Sequence, residues 1–272
     1  MPEVSKMKAG TFFHHITQAA KERGEAVEDT VRWAVGLGYE AAELDADDPE
    51  GTELLQKNGM KVSSIYRNYH WQDEIDAGSM EDHVRLAVRL GASKIMAIPG
   101  FYSGVAEERY RELANMHEGM RKLADLANEN GLTLTIEDYD NALSPIATME
   151  GMNSFLAAVP DLTVTLDTGN FIFSAEDILA AEQMFHTKIT HVHLKDRLWS
   201  RTGAGDILEC TDGRIVYPCA VGDGDIPVDE VLRRLAQADY DGYVVTEFFG
   251  SRSYAENMEK SIMNLQNGGW TA

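Results

Sequence analysis

Short apolar runs alternate with longer amphipathic segments along the whole chain, and this alternation constrains the fold more than any other feature. Eight apolar runs predict β-strands, at residues 10–17, 41–45, 61–67, 93–99, 132–138, 162–168, 190–196 and 242–248. Eight amphipathic segments predict helices, at residues 27–38, 51–59, 80–91, 116–131, 152–160, 174–185, 228–240 and 253–267. Strict alternation implies a parallel sheet, and eight repeats favour an α/β fold, a closed (β/α)8 TIM barrel, as a single domain over residues 1–272.

Residues at the ends of these segments support the same reading. Four helical segments end in a glycine that predicts a left-handed C-cap: Gly38, Gly59, Gly91 and Gly131. Ser174 and Asp229 stand where helix N-caps are expected. An open doubly wound sheet is the rival fold, but it predicts a glycine-rich phosphate loop after an early strand, and "FFHHITQAA" contains none. The glycine pair in "VGDGD" (221–225) predicts a turn before the helix near Pro227.

Composition narrows the class of partner. Acidic residues outnumber basic ones 45 to 24, for a net charge of −21, which would repel nucleic acid and anionic membranes. No stretch reaches 18 uninterrupted apolar residues, and the N-terminus lacks a signal-peptide pattern. The two cysteines form no CxxC motif and predict free thiols, so we expect a cytoplasmic protein.

Chemistry-bearing residues follow four consecutive predicted strands. In "THVHLKDR" (190–197), His191 and His193 share one face of a strand. Three carboxylates end the neighbouring strands: Glu137 in "IEDY", Asp167 in "LDTGN" and Glu247 in "VTEFF". In a barrel these groups meet at one rim, where they would repel each other unless a cation compensates. A divalent metal ion is the simplest such cation.

The donor set also indicates which metal to expect. Three carboxylates and one imidazole suit Mn²⁺, Mg²⁺ or Co²⁺ better than a thiolate-rich zinc site. His193 would bind the ion through one ring nitrogen, and His191, one layer deeper, would support it or simply pack. Lys195 and Arg197 lie just beyond, where they either contact substrate oxygens or neutralise the acidic rim.

Two further histidines and one long segment are weaker candidates. His14 and His70 lie near the ends of the first and third predicted strands, within possible reach of substrate hydroxyls. Residues 198–221 form a connection that is long for a βα loop, and loops of this length at a barrel rim often act as lids.

With these residues identified, the chain resembles the xylose isomerase-like barrels, a group of sugar and sugar-phosphate isomerases and epimerases. The resemblance rests on the segments "TIED", "TLDTGN", "HVHLKD", "VGDGDI", "VTEF" and "GLGYEAAEL" (36–44). It implies that Glu137, Asp167, His193 and Glu247 bind one divalent ion, and that the two glutamates also serve as acid and base. Ketose 3-epimerases of the group carry a histidine three residues after the metal-binding aspartate. Here that position is Asn170, which can bind a sugar hydroxyl but cannot titrate near neutral pH.

The resemblance and the chemistry together predict a metal-dependent sugar isomerase or epimerase. The ion would stabilise the enediolate formed when a glutamate removes the proton α to a carbonyl. Return of the proton gives an epimer or an isomer, whereas loss of a β-hydroxyl gives dehydration, as in the inosose dehydratases of the same fold. A lyase is therefore the alternative, and a non-catalytic sugar-binding barrel is a third reading. A repair nuclease like endonuclease IV needs more histidines and a basic surface, so we exclude it.

We expect the partner to be a small sugar or polyol, with no nucleic acid and no membrane, and we leave open whether the chain forms a homo-oligomer. The basic residues near the rim are few: Arg67, Lys195, Arg197, Arg201 and Arg252. No compact glycine-rich phosphate cradle accompanies them. We therefore predict a neutral substrate rather than a sugar phosphate.

Overall fold

Eight parallel strands close into a barrel in the computed structural model, which describes residues 7–199 and 205–272. The described residues contain eleven strands in all, eight in the barrel and three in a small sheet. In chain order they are β1 (Lys8–Phe12), β2 (Ala41–Asp45), β3 (Lys61–Asn68), β4 (Lys94–Ile98), β5 (Thr133–Ile136), β6 (Thr163–Asp167), β7 (Ile189–Lys195), β8 (Arg197–Leu198), β9 (Leu208–Glu209), β10 (Ile215–Pro218) and β11 (Tyr243–Glu247). The barrel runs β1-β11-β7-β6-β5-β4-β3-β2, whereas β8, β10 and β9 form a small antiparallel sheet. Because β1 pairs with both β2 and β11, the barrel closes, and the open-sheet alternative is excluded.

Helices surround the barrel and bury one apolar face each. They are α1 (Phe13–Arg23), α2 (Val27–Leu37), α3 (Glu53–Lys57), α4 (Ala77–Leu90), α5 (Arg109–Glu129), α6 (Met149–Ala158), α7 (Ile178–Phe185), α8 (Val228–Gln237) and α9 (Tyr254–Asn267), with a 3-10 turn at Phe171–Ser174. In α8 the buried residues Val228, Val231, Leu232 and Leu235 recur at the helical spacing that an amphipathic helix requires. Among the described helices, none combines the length and apolarity needed to cross a bilayer.

The first predicted strand is too long. β1 ends at Phe12, and α1 begins at Phe13. The buried residues Phe13, Ile16 and Ala20 follow a helical period that the β-type run "GTFFHHIT" obscured. His14 therefore lies in the first turn of a helix rather than on a strand.

The four glycines predicted to end helices all adopt left-handed backbone angles, with φ of 114° at Gly38, 81° at Gly59, 68° at Gly91 and 69° at Gly131. A side chain is strained in this region, which explains the choice of glycine where the chain turns into the next strand. Gly38 and Gly91 are the C-caps of α2 and α4 themselves.

The two N-cap predictions are wrong. Ser174 belongs to the 3-10 turn, and Asp177 caps α7 instead, where its carboxylate accepts a hydrogen bond from the Ala180 N–H at 2.9 Å. Asp229 lies inside α8, which begins at Val228. In both cases the predicted residue stands within a few positions of the true helix start.

The segment predicted as one long loop, 198–221, contains β9 and β10 in its described part. β10 pairs antiparallel with both β8 and β9. Residues 200–204, among them Arg201, lie outside the described residues.

The turn predicted at "VGDGD" is confirmed, and the buried Asp196 organises it. The Asp196 carboxylate accepts hydrogen bonds from the N–H groups of Gly222, Gly224 and Ile226 at 2.9, 2.9 and 3.2 Å. A Cβ on Gly224 would lie 2.0 Å from Asp196 Oδ1, so this position requires glycine.

Candidate functional site

Four buried side chains converge at the carboxyl ends of consecutive barrel strands. Glu137 directly follows β5, Asp167 ends β6, His193 lies in β7 and Glu247 ends β11. One ligating atom from each lies within 4.8 Å of the others. The barrel thus brings together the four residues that the sequence suggested as one group, and we call them the rim cluster.

Backbone geometry fixes the Asp167 carboxylate in the rim cluster. Its Oδ1 accepts hydrogen bonds from the N–H groups of Gly169 and Asn170, each at 2.7 Å. This turn is expected from the sequence "DTGN", because aspartate readily accepts from the backbone two and three residues on. Asp167 Oδ2 is buried and makes no hydrogen bond, and its charged neighbour is the Lys195 ammonium at 3.4 Å.

The histidine of the rim cluster faces two glutamates. His193 Nδ1 is hydrogen-bonded to Glu137 Oε1, and it lies 3.3 Å from Glu247 Oε2. An imidazole nitrogen directed at carboxylate oxygens, in a buried setting, can bind a divalent cation once it gives up its proton.

A lysine ammonium lies among the same carboxylates. Lys195 Nζ is 2.5 Å from Glu247 Oε1 and 3.4 Å from Asp167 Oδ2, and it donates to Asn170 Oδ1 at 2.6 Å. Of the two roles left open by the sequence, these contacts match neutralisation of the acidic rim. The side chain also lines a cavity above the rim cluster.

The environments of the two glutamates separate their pKa values. Burial, reinforced by Asp167 and Glu247, raises the pKa of Glu137 to about 8 against the opposing effect of His193. Burial also disfavours the Glu247 anion, but Lys195 and His193 outweigh it and hold the pKa of Glu247 below its usual range. Two carboxyls with separated pKa values can divide the roles of acid and base between them.

A buried glutamate beneath the rim cluster was missed by sequence reasoning. Glu43 of β2 contacts the Nε2 atoms of both His191 and His193, at 2.8 and 2.9 Å. The available signal was an acidic residue within the otherwise apolar strand "AAEL". Charged residues are rarely fully buried unless they are paired.

A cavity of about 370 Å³ opens over the rim cluster. Its aromatic and apolar wall consists of Phe12, Tyr66, Met96, Ile98, Tyr139 and Phe249. Its polar lining, besides the two glutamates, consists of Asn68, Asp140, Asn170, Lys195, Arg197 and Asp206. A few polar groups set in an apolar wall are typical of a small-molecule site.

The structure separates the predicted substrate contacts into two groups. Asn170, Lys195 and Arg197 line the cavity, and Arg197 Nη2 donates to Asp140 Oδ2 at 2.9 Å. His14 is exposed outside the cavity lining and packs on Phe249, with ring centroids 5.1 Å apart.

His70 lies farther from the rim cluster. It is exposed and lines a separate surface depression together with Arg67, which is paired with Asp47. Neither His70 nor Arg67 is among the residues that line the central cavity.

These observations define a TIM barrel with three carboxylates and one imidazole grouped at the rim where barrel enzymes hold their active sites. Such a set of side chains suits a divalent metal ion. The chain belongs to the xylose isomerase-like TIM barrel family, whose sequence model matches residues 20–267.

The chain is similar to a curated protein in sequence and to several solved structures in fold. It is 27% identical to an inosose dehydratase from Clostridium perfringens over 164 residues, which are 57% of this chain and 52% of that protein. The chain thus matches about half the length of this curated relative. Solved structures with a similar fold include a D-allulose 3-epimerase from Methylomonas sp. in complex with D-allulose (16% identity, TM-score 0.71, 97% of each chain). Another is a probable 3-DHS dehydratase from Bacillus anthracis (17% identity, TM-score 0.71, 96% of this chain and 99% of that one).

Proposed function

We propose that the protein is a divalent-metal-dependent sugar isomerase or epimerase that transfers a proton α to a carbonyl group. The observation that carries this proposal is the rim cluster itself, four buried groups with ligating atoms within 4.8 Å of one another, lying under a cavity of about 370 Å³. Both candidate proton-transfer groups, Glu137 and Glu247, reach into that cavity.

The rim cluster fits one divalent ion. Three carboxylates and one imidazole match the preferences of Mn²⁺, Mg²⁺ or Co²⁺, and the buried Asp167 Oδ2 lacks a hydrogen-bond partner. Glu137, Asp167, His193 and Glu247 would hold the ion. When bound, it would polarise a substrate carbonyl as a Lewis acid.

The two glutamates would move the proton. Glu247, whose anion is stabilised by Lys195, would accept the α-proton on a carboxylate oxygen. Glu137, which holds a proton more strongly, would deliver one in return. Strands β6 and β7 separate β5 from β11 in the barrel, so the two carboxyls approach a substrate from different directions.

A neutral sugar or polyol suits the charges around the cavity. Asp140 already neutralises Arg197, and Lys195 is bound to Glu247 and Asp167. Both basic residues among the described lining residues are therefore already in ion pairs, and neither is free to hold a phosphate. The aromatic wall can pack against the apolar face of a sugar ring.

A dehydratase of the same fold is the second candidate. It is favoured by the 27% identity to an inosose dehydratase and by Asn170, which stands where the ketose 3-epimerases of the family carry a histidine. Both reactions begin with removal of the same α-proton and diverge at the next step, return of a proton or loss of a hydroxyl.

We also propose a cytoplasmic location, supported by the free and buried thiols of Cys210 and Cys219.

The decisive experiment traces the α-proton. The protein is treated with a chelator, supplied with Mn²⁺, Mg²⁺ or Co²⁺, and incubated in D2O with a panel of ketoses and inososes. We expect deuterium at the α-carbon of at least one substrate, and proton NMR of the product distinguishes an epimer, an isomer and a dehydrated compound. If a sugar binds but no substrate of the panel takes up deuterium, the protein is a sugar-binding barrel instead.

A further inference from the structure

We propose that Glu43 is a positioning residue that fixes the ring orientation and tautomer of His193, so that Nδ1 presents its lone pair to the rim cluster. The inference rests on the proposed metal centre. It adds to that centre a residue that touches neither the ion nor the substrate.

The hydrogen bonds around Glu43 specify the tautomer. Glu43 Oε2 lies 2.8 Å from His191 Nε2 and 2.9 Å from His193 Nε2, and all three side chains are fully buried. A carboxylate oxygen can only accept, so each Nε2 must carry the hydrogen. The other nitrogen of His193, Nδ1, is hydrogen-bonded to Glu137, and with Nε2 protonated it would become the free base once a bound cation displaces the shared proton. For His193 this is the nitrogen that faces Glu137 and Glu247.

Packing leaves the His193 ring few alternatives. Its ring meets those of Phe12 and His191 edge-on, with centroids 5.0 and 5.3 Å apart. The remaining polar atoms of the network, Glu43 Oε1 and His191 Nδ1, have no hydrogen-bond partner, so Glu43 Oε2 is the acceptor that both histidines share. Loss of that acceptor would leave the N–H groups of His191 and His193 buried without a hydrogen-bond partner.

The backbone is irregular at both ends of this network. The pairing of β2 with β3 shifts register between Ala42 and Leu44, at Glu43 itself. The pairing of β6 with β7 shifts between Val164 and Thr165, opposite the start of the His191–His193 segment. Such bulges re-aim side chains and are frequent beside active sites. Here the two register shifts lie at the residues through which β2 and β7 touch across the barrel interior, Glu43 and the two histidines.

A second cation held by Glu43, His191 and His193 is the competing reading, because these three groups also lie within ligating distance of one another. With Nδ1 of His193 assigned to the rim cluster, a second cation on Nε2 would require this ring to lose both of its protons, whereas a hydrogen bond from Nε2 to Glu43 requires the loss of only one. We therefore assign the group as a support for the rim cluster, and the metal stoichiometry decides between the two readings.

The test compares Mn²⁺ binding to the full chain and to Glu43→Gln by calorimetric titration after chelation. The amide keeps the shape and one accepting oxygen but loses the negative charge that faces the two buried N–H donors, and we expect the affinity to fall by about 10- to 100-fold, as for other residues that support metal ligands. Glu43→Asp, which keeps the carboxylate, should recover part of the loss. Glu112→Gln removes another buried glutamate, one that accepts from the Ser103 N–H outside the cluster, and should bind Mn²⁺ like the unaltered protein.

A spectroscopic measurement isolates the tautomer. In the ¹⁵N-histidine-labelled, Mg²⁺-loaded protein, His193 should show a protonated Nε2, and this signal should shift in Glu43→Gln. Unchanged Mn²⁺ affinity together with an unchanged His193 signal would refute the role of Glu43 alone. Two ions per chain, one of them lost in the variant, would replace it with the second-cation reading. If the unaltered protein binds no divalent ion, the metal centre and this inference both fail.

Discussion

At the scale of single residues, the site is a set of buried charges that compensate one another in layers. The uppermost carboxylates, Glu247 and Asp167, lie against Lys195, and Glu137 lies against His193. His193 in turn meets Glu43 one layer deeper. Because buried charges are costly unless they are paired, each partner contributes to keeping its neighbour ionised or correctly oriented.

Replacing the proposed base tests its role directly. Glu247→Gln keeps the shape and one oxygen but loses the charge and the base, so we expect turnover to fall by at least about 100-fold. Circular dichroism should show the fold unchanged. Glu256→Gln, at a position outside the site on α9, should keep full activity. Near-normal turnover of Glu247→Gln, measured with saturating metal, would contradict the assignment.

A histidine remote from the rim cluster should make stability depend on pH. His83 bonds to the Tyr69 hydroxyl and the Ile65 carbonyl, each at 2.9 Å, and burial lowers its pKa to about 4. In the unfolded chain the pKa is about 6.5, so between these values the unfolded state binds more protons and stability rises with pH. The contribution, about 3 kcal/mol, is present above pH 6.5 and is lost as pH falls toward 4.

The difference between the protein and a variant isolates this effect. Urea unfolding at pH 5 and pH 7 should show a smaller pH dependence for His83→Gln than for the unaltered protein. His186→Gln, at an exposed position, should leave the dependence unchanged. If the free energy of unfolding changes equally between pH 5 and pH 7 in all three proteins, burial does not lower the pKa of His83.

At the scale of elements, the βα turns of the rim are built by aspartates that accept backbone N–H groups. Asp167 holds the turn after β6, and Asp196 holds the turn that leads into α8. Each carboxylate satisfies N–H groups that burial would otherwise leave without partners. The position of the rim cluster therefore depends on turn geometry as well as on the strands.

A matched pair of glycine substitutions tests the second turn. Gly224→Ala would place a Cβ 2.0 Å from Asp196 Oδ1, and we expect it to reduce the free energy of unfolding by about 2 kcal/mol or more. Gly36→Ala in α2, where a Cβ meets nothing within 4 Å, should stabilise by about 0.5–1 kcal/mol. Urea unfolding of both variants is the measurement, and equal effects would refute the close contact.

At the scale of the whole molecule, an acidic protein carries an acidic cavity. The net charge is −21, and the described cavity lining holds four carboxylates, Glu137, Asp140, Asp206 and Glu247, against two cations, Lys195 and Arg197. This balance favours a cation and a neutral substrate and opposes a phosphate.

A paired comparison of each ketose with its phosphate ester tests this balance. We expect the neutral sugar to have the higher kcat/KM. Asp140→Asn, which frees Arg197, should shift the ratio toward the ester. A tenfold preference of the unaltered protein for the ester corresponds to about 1.4 kcal/mol of transition-state binding and would overturn the prediction.

Metal removal should affect the stability of the whole chain. We expect one divalent ion per chain by elemental analysis, and a Tm that falls on addition of EDTA, because an ion that binds only the native state stabilises it. Mn²⁺ added back should restore the Tm. The absence of both the ion and the shift would contradict the metal centre.

Much of the fold could be predicted from local patterns, and the errors have physical causes. Alternating periodicities predicted the barrel, and the last polar residue of each strand predicted Glu137, Asp167 and Glu247 as neighbours. The helix α1 was missed because "FFHHIT" is apolar and aromatic enough to suit either a strand or a buried helix. The position of His70, away from the cavity, depends on the course of the chain after β3, which no local pattern specifies.

Local patterns specify which residues lie at strand ends, because side-chain periodicity and turn chemistry act over a few residues. Which of these groups meet depends on the tertiary structure. Glu43 and His193 are 150 residues apart in the chain, and they touch because the barrel closes. Lys195 meets Asp167 and Glu247 for the same reason, since neighbouring strands bring their ends to one rim. Pairing across a closed barrel depends on the register and curvature of every strand, and these are properties of the assembled sheet rather than of any segment within it.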